Sequence, residues 1–346
     1  VRNSGVGFAV NRTIILKQGE FDMSLILVAG LLMLAALPAG ADPVQIDEWP
    51  VEWRDTRPRD PSVAADGRIW FVGQAGDYAA VFDPADASFR RYDLPDGTGP
   101  HTIYVTRDQQ IWYAGNRDRH LGRIDPDTGA ITRVEMPEGE LADPHTIFED
   151  AQGRLWFTAQ WANQIGRYDR DSGEIVHVDV PTERARPYGI EVDDEGTAWV
   201  VLLGTNKLAR VSPDMELTEI ELPREEARLR RIAITERGIW YGDYAGGYLG
   251  RYDPASGEIR EWQIGPAAES GPYAMAADAQ GRIWLVETHP EPNRFVGFDP
   301  ETETFFSTTP ISSGAGAVRH MVFDEQRNAI WFGTDTNNLG RAMLPE

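Results

Sequence analysis

Cysteine is absent from the chain. That removes thiol nucleophiles, disulfides and cysteine-ligated zinc together, and a chain without thiols suits an oxidising compartment. Basic residues are outnumbered, 33 Lys and Arg against 55 Asp and Glu, for a formal net charge of −22. Nucleic-acid binding needs a basic footprint and is not expected here. Histidine is scarce, with six in 346 residues. Long hydrophobic runs are nearly missing too. The one such run, Leu25 to Leu37, is shorter than the ~18–20 residues of a membrane span and leads into Pro38-Ala39-Gly40-Ala41-Asp42. This is the form of a signal peptide ending in an A-x-A cleavage site. The reading therefore divides the chain into an upstream segment and signal peptide, 1–41, and a mature part, 42–346, that is periplasmic or secreted and has no membrane span. Residues 1–22 precede Met23 and read as upstream sequence.

What the chain does have is tryptophan at a fixed step. Trp70, Trp112, Trp156, Trp199, Trp240, Trp284 and Trp331 are separated by 41–47 residues, and each sits in the same phrase. Asp143-Pro144-His145-Thr146-Ile147-Phe148 is a short β-prone run, and Asp150-Ala151-Gln152-Gly153 is a turn. Leu155-Trp156-Phe157-Thr158 is a second run, Gln164-Ile165-Gly166-Arg167-Tyr168 a third, and Glu174 to Val178 a fourth. Gly- and Asp-bounded runs of this length read as strands joined by hairpins. A period of 40–45 residues predicts an all-β, seven-bladed β-propeller with four-stranded blades. The last repeat stops at its third strand, while Val44 to Trp49 resembles the fourth-strand segment Gly257 to Trp262. The N-terminal strand is therefore expected to close the ring, leaving no unpaired edge. The Trp is expected to be buried between blades. The small residues Gly122, Gly166, Ala209, Gly250, Gly297 and Gly340 are expected to let that Trp or a neighbouring strand approach closely.

Propeller ligands usually meet the mouth where the inner strands begin. Two positions per blade face it in this reading. The first follows the Pro opening the inner strand: Ser62, His101, His145, Tyr188, Arg231, Tyr273 and His320. The second lies three residues after each Trp: Gly73, Gly115, Ala159, Leu202, Asp243, Glu287 and Thr334. Three of the six histidines fall on the first set, which makes His101, His145 and His320 the candidate bases. Tyr188, Arg231, Tyr273 and Trp161 are candidate ligand-binding residues. Glu287, Asp243 and Asp143 are candidate metal ligands. His120 and His177 read as surface residues, and His289 as able to reach the mouth.

The phrases Pro100-His101-Thr102-Ile103, Pro187-Tyr188-Gly189-Ile190, Leu155-Trp156-Phe157-Thr158 and Asn163-Gln164-Ile165-Gly166-Arg167 resemble the virginiamycin B lyase (streptogramin lyase) family across all seven repeats. The resemblance implies a propeller and a Mg²⁺-assisted elimination that opens a cyclic depsipeptide at its ester, with a His base and a carboxylate-held metal. It also implies a site of four positions in the last two blades, occupied here by Tyr273, Val318, His320 and Thr334. Only His320 keeps the family's residue type. A version shifted to blades two and three has His101, Asp143 and His145, with Ala159 in place of the second carboxylate. The family's own antibiotic-opening reaction is therefore not expected.

Two readings stay open. One is an exported carbon–oxygen lyase acting on a small ester- or ether-linked molecule. The other is a non-catalytic propeller that holds a small-molecule ligand or a protein at its mouth. A six-bladed lactonase with metal-bound Glu, Asn and Asp is disfavoured by the seven repeats.

Overall fold

A computed structural model describes residues 43–346. The apolar run, the cleavage site and the 1–41 boundary lie outside the described residues. Among the described residues, no helix is long and apolar enough to cross a membrane.

Twenty-eight strands form seven four-stranded antiparallel sheets, each consecutive in sequence except the last. In the last sheet, Gln45–Pro50 pairs antiparallel with Asn338–Met343 and supplies the outer strand that the C-terminal repeat lacks. The predicted seven-bladed propeller, closed by its N-terminal strand, is the observed fold.

The tryptophans hold the blades together. All seven are at most 3% exposed. In four blades the turn Asp that starts the hairpin accepts the indole N–H six or seven residues on: Asp150 from Trp156, Asp193 from Trp199, Asp278 from Trp284 and Asp324 from Trp331, at 2.8–3.0 Å. Asp150 also accepts the backbone N–H groups of Gln152 and Arg154, so one carboxylate shapes the turn and satisfies a buried donor. The third-strand glycines have a different neighbour from the one expected. A Cβ on Gly122, Gly166, Gly250 or Gly340 would fall within 2.5 Å of Tyr113, Phe157, Tyr241 or Phe332, the aromatic that follows each Trp. Only at Gly297 is the Trp itself, Trp284, the close partner, together with Phe306. The reason is register: the Gly sits opposite the residue after Trp in those four blades, but opposite Trp284 in blade six.

Every inner strand carries one extra residue just past its start. In blade two, Pro100 pairs with Gly115 but Ile103 pairs with Tyr113, and the same shift recurs in the other six blades. Such a bulge breaks the strict alternation of a strand and re-aims side chains. In blades one, two, three and five the residue after the mouth-facing one, Asp60, Thr102, Thr146 or Arg231, consequently reaches the axis as well.

Candidate functional site

The bulge sets the true phase of the inner strands. The residue that opens each inner strand, Pro58, Pro100, Pro144, Pro187, Leu229, Pro272 or Val318, pairs with Gly73, Gly115, Ala159, Leu202, Asp243, Glu287 or Thr334 respectively. The upper ring that follows is Arg59, His101, His145, Tyr188, Arg230, Tyr273 and Arg319. The predicted Ser62, Arg231 and His320 are displaced from it. The opening proline of blade one is Pro58, not Pro61, whereas blades five and seven begin with Leu229 and Val318 and offered no proline to count from. Only two of the six histidines thus belong to the upper ring.

One step deeper lies a tier the sequence reading missed. Asp60, wholly buried and in the left-handed region at φ 48°, accepts hydrogen bonds from Arg59 Nε (3.1 Å), Arg231 Nη2 (3.1 Å) and Thr102 Oγ1 (2.8 Å). Arg231 extends the web to Thr146 Oγ1 (3.1 Å) and the Arg319 carbonyl (2.8 Å). This ion-pair web joins blades one, two, three, five and seven across the axis. Burial alone would raise the Asp60 carboxyl, but Arg231 and Arg59 hold it well below the usual carboxylate range. A count of twelve residues back from each Trp would have found Pro58, Arg59 and Asp60, because that spacing holds at Pro100, Pro144, Pro187 and Pro272.

Above this tier opens the mouth, a cavity of about 430 Å³. His101 and His145 lie at its floor with ring centroids 3.3 Å apart, and Tyr188 lies 4.3 Å from His145. Burial, then the nearby Arg59 and Arg231, lower both imidazoles well below their ordinary value, so both stay neutral. The phenol oxygens of Tyr188 and Tyr273 are 2.6 Å apart. Burial opposes ionisation of Tyr273, yet Arg59 and Arg319 bring it below the ordinary phenol value. Burial and its partner raise Tyr188, so Tyr273 is the more acidic of the pair. Arg230 stacks over Tyr244 at 4.3 Å and Tyr273 at 5.6 Å. Trp161 stands on the rim, 67% exposed and capped by Arg186 at 4.3 Å. His289 is exposed and touches the mouth's Tyr244 edge-on at 4.9 Å.

The candidate metal ligands do not converge. Asp243 is bound by Arg224 Nη2 (2.7 Å) and the Arg228 N–H (2.9 Å). Glu287 faces Arg294 Nε at 2.8 Å. Asp143 accepts the N–H groups of Trp161 (2.7 Å) and Ala162 (3.0 Å), and burial raises its carboxyl. Among the described residues no three His, Asp or Glu side chains form a cation site. Backbone amides and Arg224 already hold Asp143 and Asp243, while Glu287 keeps one buried oxygen, Oε1, unpartnered; one free carboxylate oxygen with no second ligand beside it does not fit Mg²⁺. His120 is not a surface residue: it is fully buried, 2.9 Å from the Tyr113 hydroxyl and 2.8 Å from Asp118, filling the space beside Gly115. His177 is partly covered, beside Glu140 at 3.5 Å.

Below the ion-pair tier is a second, more apolar cavity of about 290 Å³, where His320, Tyr104, Phe148, Met275 and Phe323 meet Glu191. His320 faces this side, and burial with Arg231 lowers it to about 4. Glu191 accepts the Ile234 N–H at 2.9 Å, and burial pushes its carboxyl up to about 8. A raised carboxyl pKa favours the fold most below the unfolded value, and that advantage is lost as pH rises through about 8. Glu191→Gln is therefore expected to raise the melting temperature by roughly 2–4 °C at alkaline pH and to change it little under mildly acidic conditions. Thermal unfolding at the two pH values checks this; equal shifts at both would refute it.

A ring of seven four-stranded blades with a polar cup at one end defines a seven-bladed β-propeller. Residues 41–295 match the virginiamycin B lyase family, and the chain belongs to it. The chain is similar to virginiamycin B lyase from Staphylococcus aureus at 23% identity and a TM-score of 0.78, covering 87% of this chain and 99% of that one. It is equally similar to a catalytically inactive His-to-Ala form of the S. aureus enzyme with quinupristin, at 24% identity, TM-score 0.78, and 87% and 99% coverage. The WD40 β-propeller domain of Doa1 also matches, at 11% identity, TM-score 0.70, and 88% and 98% coverage. Structural likeness this distant shows the fold alone. No curated protein sequence matches the chain.

Proposed function

We propose that this propeller is a carbon–oxygen lyase acting on a small ester- or ether-linked molecule in the mouth, with a tyrosine pair moving the protons. The observation that carries this reading is the 2.6 Å contact between Tyr188 and Tyr273 at the base of an arginine-lined cup. Tyr273, the more acidic of the pair, acts as the phenolate, with Tyr188 as the phenol, and takes the proton beside a carbonyl. The electron pair left on carbon forms the double bond as the next carbon–oxygen bond breaks. Tyr188 protonates the departing oxygen, and their mutual hydrogen bond returns the proton to reset the pair. His101 and His145, expected from the sequence as bases, act here as neutral walls that orient Tyr188 and the ligand. His320 lies on the other side of the ion-pair tier and takes no part. No step uses Mg²⁺, because the candidate ligands Glu287, Asp243 and Asp143 do not converge on one point.

The chain also fits a non-catalytic binding propeller, since buried Tyr, His and Arg side chains can hold a ligand without changing it. Turnover separates the two. The full chain is incubated with a panel of β-alkoxy and β-acyloxy carbonyl compounds that includes quinupristin, and the absorbance of the new conjugated double bond is followed. At least one compound is expected to be cleaved, while quinupristin stays intact. Tyr273→Phe should then lower kcat by about a hundredfold or more with little change in KM. Ligand binding without turnover of any compound would establish the binding propeller instead.

A further inference from the structure

The chain carries a net charge of −22, yet none of the side chains lining the mouth is acidic. Arg117, Arg230 and Arg319 line it, and Arg59 stands behind, bound through Nη1 to the mouth's Gln74 at 3.0 Å. Two of these cations lack a carboxylate partner among the described residues: Arg117, which is exposed, and Arg230, which meets only aromatic faces and the Leu229 carbonyl. Arg319 is paired on its outer side with Asp335 at 2.6 Å. Arg59 shares Asp60 with Arg231, and its Nη2 is buried, 5% of the residue being exposed, with no hydrogen-bond partner. An unpartnered buried guanidinium nitrogen is costly, and a ligand oxygen is what would satisfy it.

From this arrangement we infer that the mouth recognises a carboxylate, held by Arg230 and Arg319 directly above the tyrosine pair, with Arg59 adding positive charge from behind the lining. Guanidinium forks match the planar, two-oxygen shape of a carboxylate. The inference rests on the lyase reading and names its substrate class: a small carboxylic acid with an oxygen substituent on the second carbon from the carboxyl group. The arginines there do what a metal would otherwise do. They neutralise the carboxylate, so that removal of the adjacent proton does not build a second unshielded negative charge. The proton goes to Tyr273, the carbon–oxygen bond breaks, and the products are an unsaturated acid and an alcohol. The cavity of about 430 Å³ suits a small molecule and not a long chain.

Binding to the full chain is measured calorimetrically with malonate, benzoate, benzamide, inorganic phosphate and Mg²⁺ as separate probes. Saturable binding of malonate or benzoate is expected, with no heat from benzamide or Mg²⁺. Arg230→Gln and Arg319→Gln should each weaken that binding by about tenfold. Both residues are partly exposed, so these variants keep the test open even where a change at buried Arg59 disturbs folding. Absence of carboxylate binding, tighter binding of phosphate, or binding that is unaltered in both variants would overturn the inference. The lyase reading fails separately: carboxylates that bind as expected while no 3-alkoxy acid is cleaved would remove it and leave the carboxylate site standing.

Discussion

Deletion of residues 43–50 is expected to abolish cooperative unfolding and to leave an associating, partly structured chain. Six backbone pairings along Asn338–Met343 go with that strand, exposing a sheet edge that templates intermolecular pairing. Trp49 is lost from its stack on Trp331 at 5.6 Å and Phe82 at 5.1 Å, and Arg341 loses Asp47 at 2.7 Å. Glu48 also leaves the Ser313 N–H, so blades six and seven lose a tie. Size-exclusion chromatography and circular dichroism check the outcome. A milder change, Trp49→Ala, should keep the fold at a cost of about 3–5 kcal/mol, read from urea unfolding. A monomeric, cooperatively melting deletion variant would show that the outer strand is dispensable to the ring.

Asp60→Asn should cost about 3–5 kcal/mol at neutral pH, because Arg59 and Arg231 then remain buried with no counter-charge. The same change should empty the floor of the mouth of its organising hydrogen bonds to Thr102 and both arginines. The wild-type contribution has a definite sign. The carboxyl is held well below its ordinary value, so its stabilisation is present throughout neutral pH and is lost only as pH falls into the strongly acidic range. The gap between wild type and variant should therefore be flat from neutral to mildly acidic pH and close only in strong acid. Urea unfolding across that range tests it. A difference below about 1 kcal/mol would mean that the tier is not a stabilising element. Asp60→Ala with Arg231→Met, taken as a double-mutant cycle, separates the pair's own coupling from the cost of orphaning one partner.

The family resemblance implies a metal-assisted mechanism, whereas the proposed one rests on arginines and a tyrosine pair. Of the four positions that the resemblance implies, Tyr273, Val318 and Thr334 carry other residue types, and His320 lines the lower cavity. The three candidate carboxylates tie loops to their own blades. Fold and family are shared, but the polar groups that do chemistry are set by a few side chains at strand starts, which vary without disturbing a blade.

The repeat made most of the architecture legible. Trp at every 41–47 residues, a turn bearing Asp or Gly before it and a small residue after it are local signals, repeated seven times. Strand closure was legible for the same reason, since Val44 to Trp49 has the pattern of a missing fourth strand. His101, His145, Tyr188 and Tyr273 were found because their blades begin with a proline at a constant distance from the Trp. Where that marker is absent or doubled, counting slipped by one to three residues, as at Ser62, Arg231 and His320.

The order of strands, the ring and the level at which a mouth forms follow from period and turn chemistry along the chain. Which side chains meet across the mouth does not. The contact of Asp60 with Arg231 spans 171 residues. It exists because the bulges of blades one and five turn Asp60 and Arg231 inward, and because the ring's closure brings those two blades within hydrogen-bond reach. The neutral state of the histidines and the acidity of Tyr273 arise from burial and from arginines on other blades, and no local pattern encodes either.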